Sequence, residues 1–372
     1  MTEWTKKTEL LNGGLKRRRS RRQQQSGRRA LKRKKNAETE PLTNTKNSCY
    51  IDATLVSLFT HPCFDINTLL QDDAVGFDVC GAAEDDIVAA RSSFIQAAAA
   101  LQQWQTKNSD YERNVIRKTA TRCPDLNDGF EKSSQNDPSI FLEYFLKIFP
   151  RFDMDMMIKG MPSCESSMPL IRLAFDFLAK KKLIGNRKCE SNKSYHSPTN
   201  LKRCKLKKKS KTTLQKVVDE QIRANQIIKI DTEFIVFDIT RLDKGSYIDN
   251  IVVEPDKHIK LPQKQKLSLS AVIVWHDHHY TAYAFTKEGW CYFDDEQQEY
   301  QIVGRSYDDL LKHRDGSVAT NGKLFFYDLC GDGARPRPLR GGGRSKRCNA
   351  TTAKGSMCKN SGGHNGYCHL HK

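Results

Sequence analysis

Cys49 follows the polar, turn-prone run Thr43, Asn44, Thr45, Asn47 and Ser48, and it precedes apolar residues at Ile51, Leu55, Leu58 and Phe59. Apolar positions so spaced mark one face of an α-helix, with Asn47 or Ser48 as its N-cap. A thiol in a first helical turn meets unpaired backbone N–H groups and the positive end of the helix dipole, which favour an anion. The position therefore predicts a cysteine that ionises more readily than a free one, and the thiolate is the nucleophilic form. A small buried cysteine that happens to open a helix fits the same stretch equally well.

A second chemically loaded segment is "HDHHYTAYAFTKEGWCYFDDE", residues 276–296. It reads as a hairpin, with strands at 279–285 and 290–295, a turn at Lys287–Glu288, and Gly289 free to take a dihedral other residues avoid. A turn centred between 287 and 288 sets residue 279 opposite 296 and makes Asp294 the diagonal neighbour of His279 on one face. A carboxylate there accepts the imidazole N–H, fixes the tautomer and stabilises the charged ring. A polar pair at a strand edge would look the same. Taken together, a cysteine at a helix start, a distant histidine and a neighbouring aspartate are the parts of a thiol hydrolase. The imidazole takes the thiol proton, sulfur attacks a carbonyl, and water releases the acyl-enzyme. The Cys49 backbone N–H and the Asn44 side-chain amide are candidate donors to the oxyanion.

The elements that must hold these groups are legible in outline. Helices are expected over 48–60, 83–105, 138–149 and 166–183, the third opening with Pro138 and burying Phe141, Leu142, Phe145 and Leu146. From about residue 226 the chain turns to short runs rich in β-branched and aromatic residues, among them "FIVFDI", "NIVVEP", "SLSAVIVW" and "HYTAYAF". Helices first and strands later argue for an α+β domain with an antiparallel sheet packed on a helical lobe.

The net charge of +18 is concentrated in three places: +10 on residues 1–40, +13 on 180–216 and +8 on 331–372, leaving −13 on the rest. Like charges repel and carry little apolar surface, so a disordered basic tail (1–40), a basic inserted loop (180–216) and a linker (331–346) are expected around an acidic body spanning 41–330. The tail "LKRRRSRRQQQSGRRALKRKKN" suits nuclear import or non-specific contact with nucleic acid. No run approaches the roughly 18 apolar residues of a membrane span and no secretion signal is evident, so an intracellular protein without membrane contact is expected. The 12 cysteines then read as free thiols, metal ligands or a catalytic residue.

Residues 347–372 contain Cys348, Cys358, Cys368 and His371, with His364 and His369 as spare ligands. Three thiolates and an imidazole suit tetrahedral zinc, and so short a segment with so few apolar side chains needs a structural metal to fold. It resembles a small Cys3His module found at the ends of various proteins, many of them from large DNA viruses and protists. Catalysis by the Cys–His–Asp set calls for no cofactor.

"NTKNSCYIDATLVSLF" resembles the cysteine box of the ubiquitin-specific proteases, and "HHYTAYAF…WCYFDD" their histidine box. "QNDPSIFLEYFL" at 135–146 resembles the glutamine–glutamine–aspartate segment, and "FIVFDITRL", "VVEP", "IKLP" and "LSLSAVIVW" the sheet that leads to the histidine box. The similarity runs in the family's order over roughly 41–328. It implies a papain-like fold, Cys49 as nucleophile, His279 as base, Asp294 as its orienting carboxylate with Asp295 as a weaker substitute, and Asn44 in the oxyanion hole. It also implies Asp137, His278 and Tyr280 as substrate contacts, ubiquitin or ubiquitinated proteins as partners, and hydrolysis after the C-terminal glycine of ubiquitin. An acidic body suits the arginines of that tail.

Four positions depart from the family's pattern: Lys46 and His278 stand where glycines are usual, Asp52 replaces an asparagine and Ile140 a glutamate. The paired CxxC motifs of the family's zinc fingers are missing, and the irregular spacing of Cys164, Cys189, His196 and Cys204 argues against a metal there. A catalytically weak scaffold that holds ubiquitin and nucleic acid, or a protease for another ubiquitin-like modifier, are the rival readings.

Overall fold

The computed structural model describes residues 48–61, 64–70, 83–103, 109–123, 137–152, 154–161, 163–181, 183, 187–189, 202–239, 242–243, 246–276, 279–296 and 299–329. Helices come first: α1 (Cys49–Phe59), α2 (Ile66–Leu70), α3 (Glu84–Gln102), α4 (Ser109–Ala120) and α5 (Pro138–Ile148). All eleven residues of α1 are buried, so it is a central helix rather than an amphipathic surface one. Some of its polar members are satisfied locally; Thr54 Oγ1, for instance, donates to the Tyr50 carbonyl at 2.7 Å.

α5 begins where the sequence places it. Asp137 accepts the Ser139 N–H and Pro138 fills the first turn, where its missing N–H costs nothing. Phe145 on α5 meets Phe59 on α1 at 5.7 Å between ring centroids and Phe94 on α3 at 5.3 Å. Each such ring contributes roughly 1.5–3 kcal/mol by leaving water.

The remaining elements are β1 (Met154–Ile158), β2 (Glu165–Ser167), β3 (Leu170–Leu173), α6 (Phe175–Lys180), β4 (Arg187–Cys189), β5 (Lys202–Thr213), α7 (Leu214–Ala224), β6 (Ile227–Asp231), β7 (Phe234–Ile239), β8 (Leu242–Asp243), β9 (Ser246–Glu254), β10 (His258–Lys260), β11 (Lys266–His276), β12 (His279–Thr286), β13 (Gly289–Asp294), β14 (Glu299–Gly304), α8 (Tyr307–Lys312), α9 (Ser317–Asn321) and β15 (Gly322–Asp328). The main sheet has the order β14-β13-β12-β11-β15-β7-β3, with β10 also paired to β11; every neighbouring pair is antiparallel except β3 with β7.

Both faces of this sheet are covered. Ala271, Ile273, Ala282, Ala284, Leu324 and Phe326 join the core of α1, α3 and α5. Their neighbours Val272, Val274, Tyr283, Phe325 and Tyr327 join a second core on the opposite face. Strands buried on two sides read as continuous apolar runs, which is why "AVIVW" and "LFFY" show no polar alternation.

Three expectations are corrected. The segment 166–183 is not one helix: β2 and β3 flank Pro169 and only Phe175–Lys180 is helical. Its apolar residues at Ile171 and Leu173 pair alongside Phe237 and Ile239 of β7, and that parallel partner outweighs helical spacing. The basic insertion is not wholly a loop. β4 and β5 enter a second sheet of order β4-β5-β9-β8, with Cys189 opposite Cys204 in the antiparallel β4–β5 ladder. Ladder hydrogen bonds belong to the backbone and form whatever the side-chain charge. Residues 1–40, the linker and the C-terminal cysteine segment lie outside the described residues. Cys123 is disulfide-bonded rather than free, since spatial proximity decides pairing and sequence spacing does not state it. No described helix is long and apolar enough to cross a membrane.

Candidate active site

Ser48 caps α1 through its carbonyl, which accepts the Ile51 and Asp52 N–H groups at 2.8 and 3.0 Å. Its hydroxyl makes no cap; it donates to Asp52 Oδ2 at 2.8 Å. Cys49 is thus the first residue of a buried helix and is 2% exposed. Burial pushes its thiol up to about 12, against the Tyr280 backbone N–H that points at the sulfur and lowers it, while the charges of Asp295 and Asp52 raise it further. The expectation of an easily ionised cysteine is therefore overturned. Desolvation of a nearly enclosed sulfur, beside two carboxyls, exceeds the pull of one helix terminus.

The hairpin has the register expected of it. Ala282 faces Phe293, Tyr283 faces Tyr292 and Thr286 faces Gly289. Gly289 takes φ +118°, and a Cβ there would come within 2.4 Å of the Gly304 carbonyl oxygen, so only glycine closes this turn against β14. His279 Nε2 lies 2.9 Å from Asp294 Oδ1. Asp294 also accepts the Tyr292 hydroxyl on Oδ2 and the Glu296 backbone N–H on Oδ1, both at 3.1 Å. Against the cost of burial, the hydrogen bond and charge of His279 hold this carboxyl below the usual carboxylate range. With an acceptor-only carboxylate at Nε2, the ring carries its proton there and leaves the Nδ1 lone pair available as a base. Nδ1 faces Glu296 Oε1 at 3.4 Å, on a side chain 61% exposed.

The start of α1 abuts the start of β12, where the backbone of Tyr280, the residue next to His279, reaches the Cys49 sulfur. Asp295 Oδ1 is 3.3 Å from His279 Nε2, farther than Asp294. Tyr280, expected to contact substrate, packs its ring on Trp275 at 4.4 Å and is 8% exposed, so its backbone rather than its ring reaches the site. Asp137 caps α5 and pairs with Lys323 Nζ at 3.0 Å. Asn44, His278, Cys348, Cys358, Cys368 and His371 lie outside the described residues.

Sequence reasoning missed Arg113 on α4, which is 2% exposed and whose Nη1 contacts Asp52 Oδ2 and, at 3.1 Å, Ser48 Oγ. The inward stripe of α4 is Glu112, Arg113, Ile116, Arg117, Thr119 and Ala120. It has helical spacing but is mostly polar, so a search for apolar periodicity passes over it.

A thiol held this far up reacts slowly at neutrality. Iodoacetamide is expected to label Cys49 at a rate that climbs about tenfold per pH unit between pH 7 and 9, without levelling off. Peptide mapping of the alkylated residue measures this; a plateau below pH 8 would mean that the helix terminus prevails over burial.

No curated protein sequence matches the chain significantly. Among solved structures, the Ubp8/Sgf11/Sus1/Sgf73 module of SAGA bound to ubiquitin aldehyde superposes with TM-score 0.43 at 13% identity, covering 78% of this chain and 69% of that one. The same module bound to monoubiquitin gives 0.45 at 13% identity, with 79% and 70% covered. The sequence profile of ubiquitin carboxyl-terminal hydrolases matches residues 41–327, which contain the cysteine helix, the histidine hairpin and the sheet between them. The chain belongs to the ubiquitin carboxyl-terminal hydrolase family and is a cysteine-type deubiquitinating enzyme.

Proposed function

We propose that the protein hydrolyses the bond after the C-terminal glycine of ubiquitin through a Cys49–His279–Asp294 triad and a thioester intermediate. The observation that carries this reading is the His279 Nε2–Asp294 Oδ1 contact of 2.9 Å beside the thiol at the α1 terminus. His279 Nδ1 takes the Sγ proton as sulfur bonds to the scissile carbonyl carbon, and Asp294 stabilises the imidazolium. The carbonyl electron pair moves to oxygen, where the Cys49 N–H and the Asn44 amide stabilise it. Collapse of this intermediate breaks the C–N bond, and the imidazolium gives its proton to the departing amine. Water, deprotonated by His279, then attacks the thioester and frees ubiquitin and the thiol. Because the resting sulfur is a neutral thiol, proton transfer accompanies attack instead of preceding it.

Zinc bound by Cys348, Cys358, Cys368 and His371 is proposed as the structural core of the C-terminal segment, on the chemistry of that ligand set. Import into the nucleus and contact with nucleic acid are proposed for the basic N-terminal tail, on its charge.

The test uses ubiquitin carrying a thiol-reactive warhead at its C-terminus. A covalent adduct is expected with the wild-type protein and none with Cys49→Ala, read as a mass shift. Binding without adduct would favour the scaffold reading, and an adduct with only another modifier would reassign the substrate.

A further inference from the structure

Three carboxylate oxygens next to the active site lack a donor: Asp52 Oδ1 and both oxygens of Asp295 are fully enclosed with no hydrogen-bond partner. Asp52 is 0% exposed and Asp295 1%. Asp52 Oδ2 is satisfied by Ser48 Oγ and Arg113, and the Asp52 and Asp295 carboxyls face each other at hydrogen-bonding range. Two ionised carboxylates cannot satisfy one another, because each only accepts. Among the described residues one cation, Arg113, faces them. The other described groups turned toward the pair are the Asp294 carboxylate, the Cys49 thiol, the Tyr300 hydroxyl and His279, and none of these adds a permanent positive charge.

We propose that Asp52 and Asp295 share a single proton, forming a carboxyl–carboxylate pair that ties the first turn of the Cys49 helix to the strand end carrying Asp294, with Arg113 balancing the one remaining charge. The positioning role rests on the catalytic reading above; the shared proton does not. Ser48 and Arg113 both donate to Asp52, so the proton resides on Asp295, whose O–H donates to Asp52 Oδ1. Burial first, then the charge of Asp52, pushes the Asp295 carboxyl up to about 9, while Arg113 draws it down. The pair joins two elements of the site: Asp52 is one turn beyond the nucleophile, and Asp295 adjoins the carboxylate that orients the base. Asp52 stands where the family resemblance calls for asparagine, and a protonated Asp295 supplies from the other side the donor that an asparagine amide would provide.

Linkage fixes the sign of the pH effect. A folded-state carboxyl raised above its unfolded value binds a proton that the unfolded chain has released, so stability falls as pH rises from about 4 toward the folded value. The unfolding equilibrium constant of the full-length protein, measured with urea, should therefore rise up to about tenfold per pH unit more steeply in the wild type than in Asp52→Asn or Asp295→Asn. Infrared difference spectra between pH 7 and pH 10 supply the second readout. A protonated-carboxyl C=O band is expected at pH 7 in the wild type, lost at pH 10 and absent from both variants. The proposal is overturned if the folded wild type shows no such loss, which decides the matter even if a variant fails to fold. It is equally overturned if the band survives in both variants. Neither readout depends on ubiquitin cleavage, so a negative result here is distinct from an inactive enzyme.

Discussion

Asp294→Asn is expected to lower kcat by about 10²–10⁴-fold while leaving thermal stability nearly unchanged. The amide preserves the shape of the carboxylate. Its oxygen, set in the Oδ1 position, still accepts from His279 and from the Glu296 N–H, and its NH2 meets Tyr292 Oη, which turns to accept. What disappears is the negative charge facing an imidazolium that forms only when the thiol proton moves. Since Cys49 is a neutral thiol at rest, that proton moves during attack, and the lost stabilisation falls on the transition state more than on substrate binding. KM for a ubiquitin substrate should therefore change less than kcat, as measured by steady-state kinetics on a C-terminal fluorogenic conjugate. The wild-type carboxyl is held below the usual range by His279, so protonation of Asp294 removes its contribution only at pH values below that range. The acid limb of the wild-type profile consequently belongs to other groups, and the variant should lose rate without moving that limb upward. An equal loss from Asp295→Asn alone, with Asp294→Asn unaffected, would transfer the orienting role to the neighbouring residue.

What could be read from the sequence depended on whether local pattern and final environment agree. The histidine hairpin was legible to the residue, because turn chemistry sets register and register sets which side chains share a face. α1 and α5 were legible because a polar cap precedes a buried run. The Cys49 environment was not. Helix position speaks only of the local dipole, whereas enclosure by Tyr280 and Asp295 arises from a hairpin distant in the chain, and Asp52 adds its charge from the helix itself. Arg113 was invisible for a related reason, since a buried stripe of charged residues is written in the same letters as an exposed one. Strands β4 and β5 were hidden by their lysines, because charge predicts solvation and ladder pairing is indifferent to it.

Lys323→Met is expected to destabilise the protein by about 3–5 kcal/mol. Lys323 on β15 is 7% exposed, and its ammonium lies between Asp238 of β7 and Asp137 at the head of α5. Burial alone would pull the ammonium down, yet the two facing carboxylates hold it above its ordinary value, and it in turn holds Asp137 below the carboxylate range. Arg172 approaches Asp238 only at 4.0 Å from a half-exposed position and already serves Glu143, so it is a poor replacement. Methionine fills the volume and leaves two carboxylates facing each other without a cation. Their folded-state affinities for protons must then rise, so the folded variant binds protons that the unfolded chain releases and regains stability as pH falls. The deficit against wild type, from urea unfolding, should thus be largest near pH 8 and shrink toward pH 5. Adding Asp238→Asn to Lys323→Met removes one of the two stranded charges and is expected to recover at least about 1 kcal/mol. A double variant no more stable than Lys323→Met at any pH would assign the loss to packing, and the ion cluster would then be a consequence of the β7–β15 pairing instead of one of its supports.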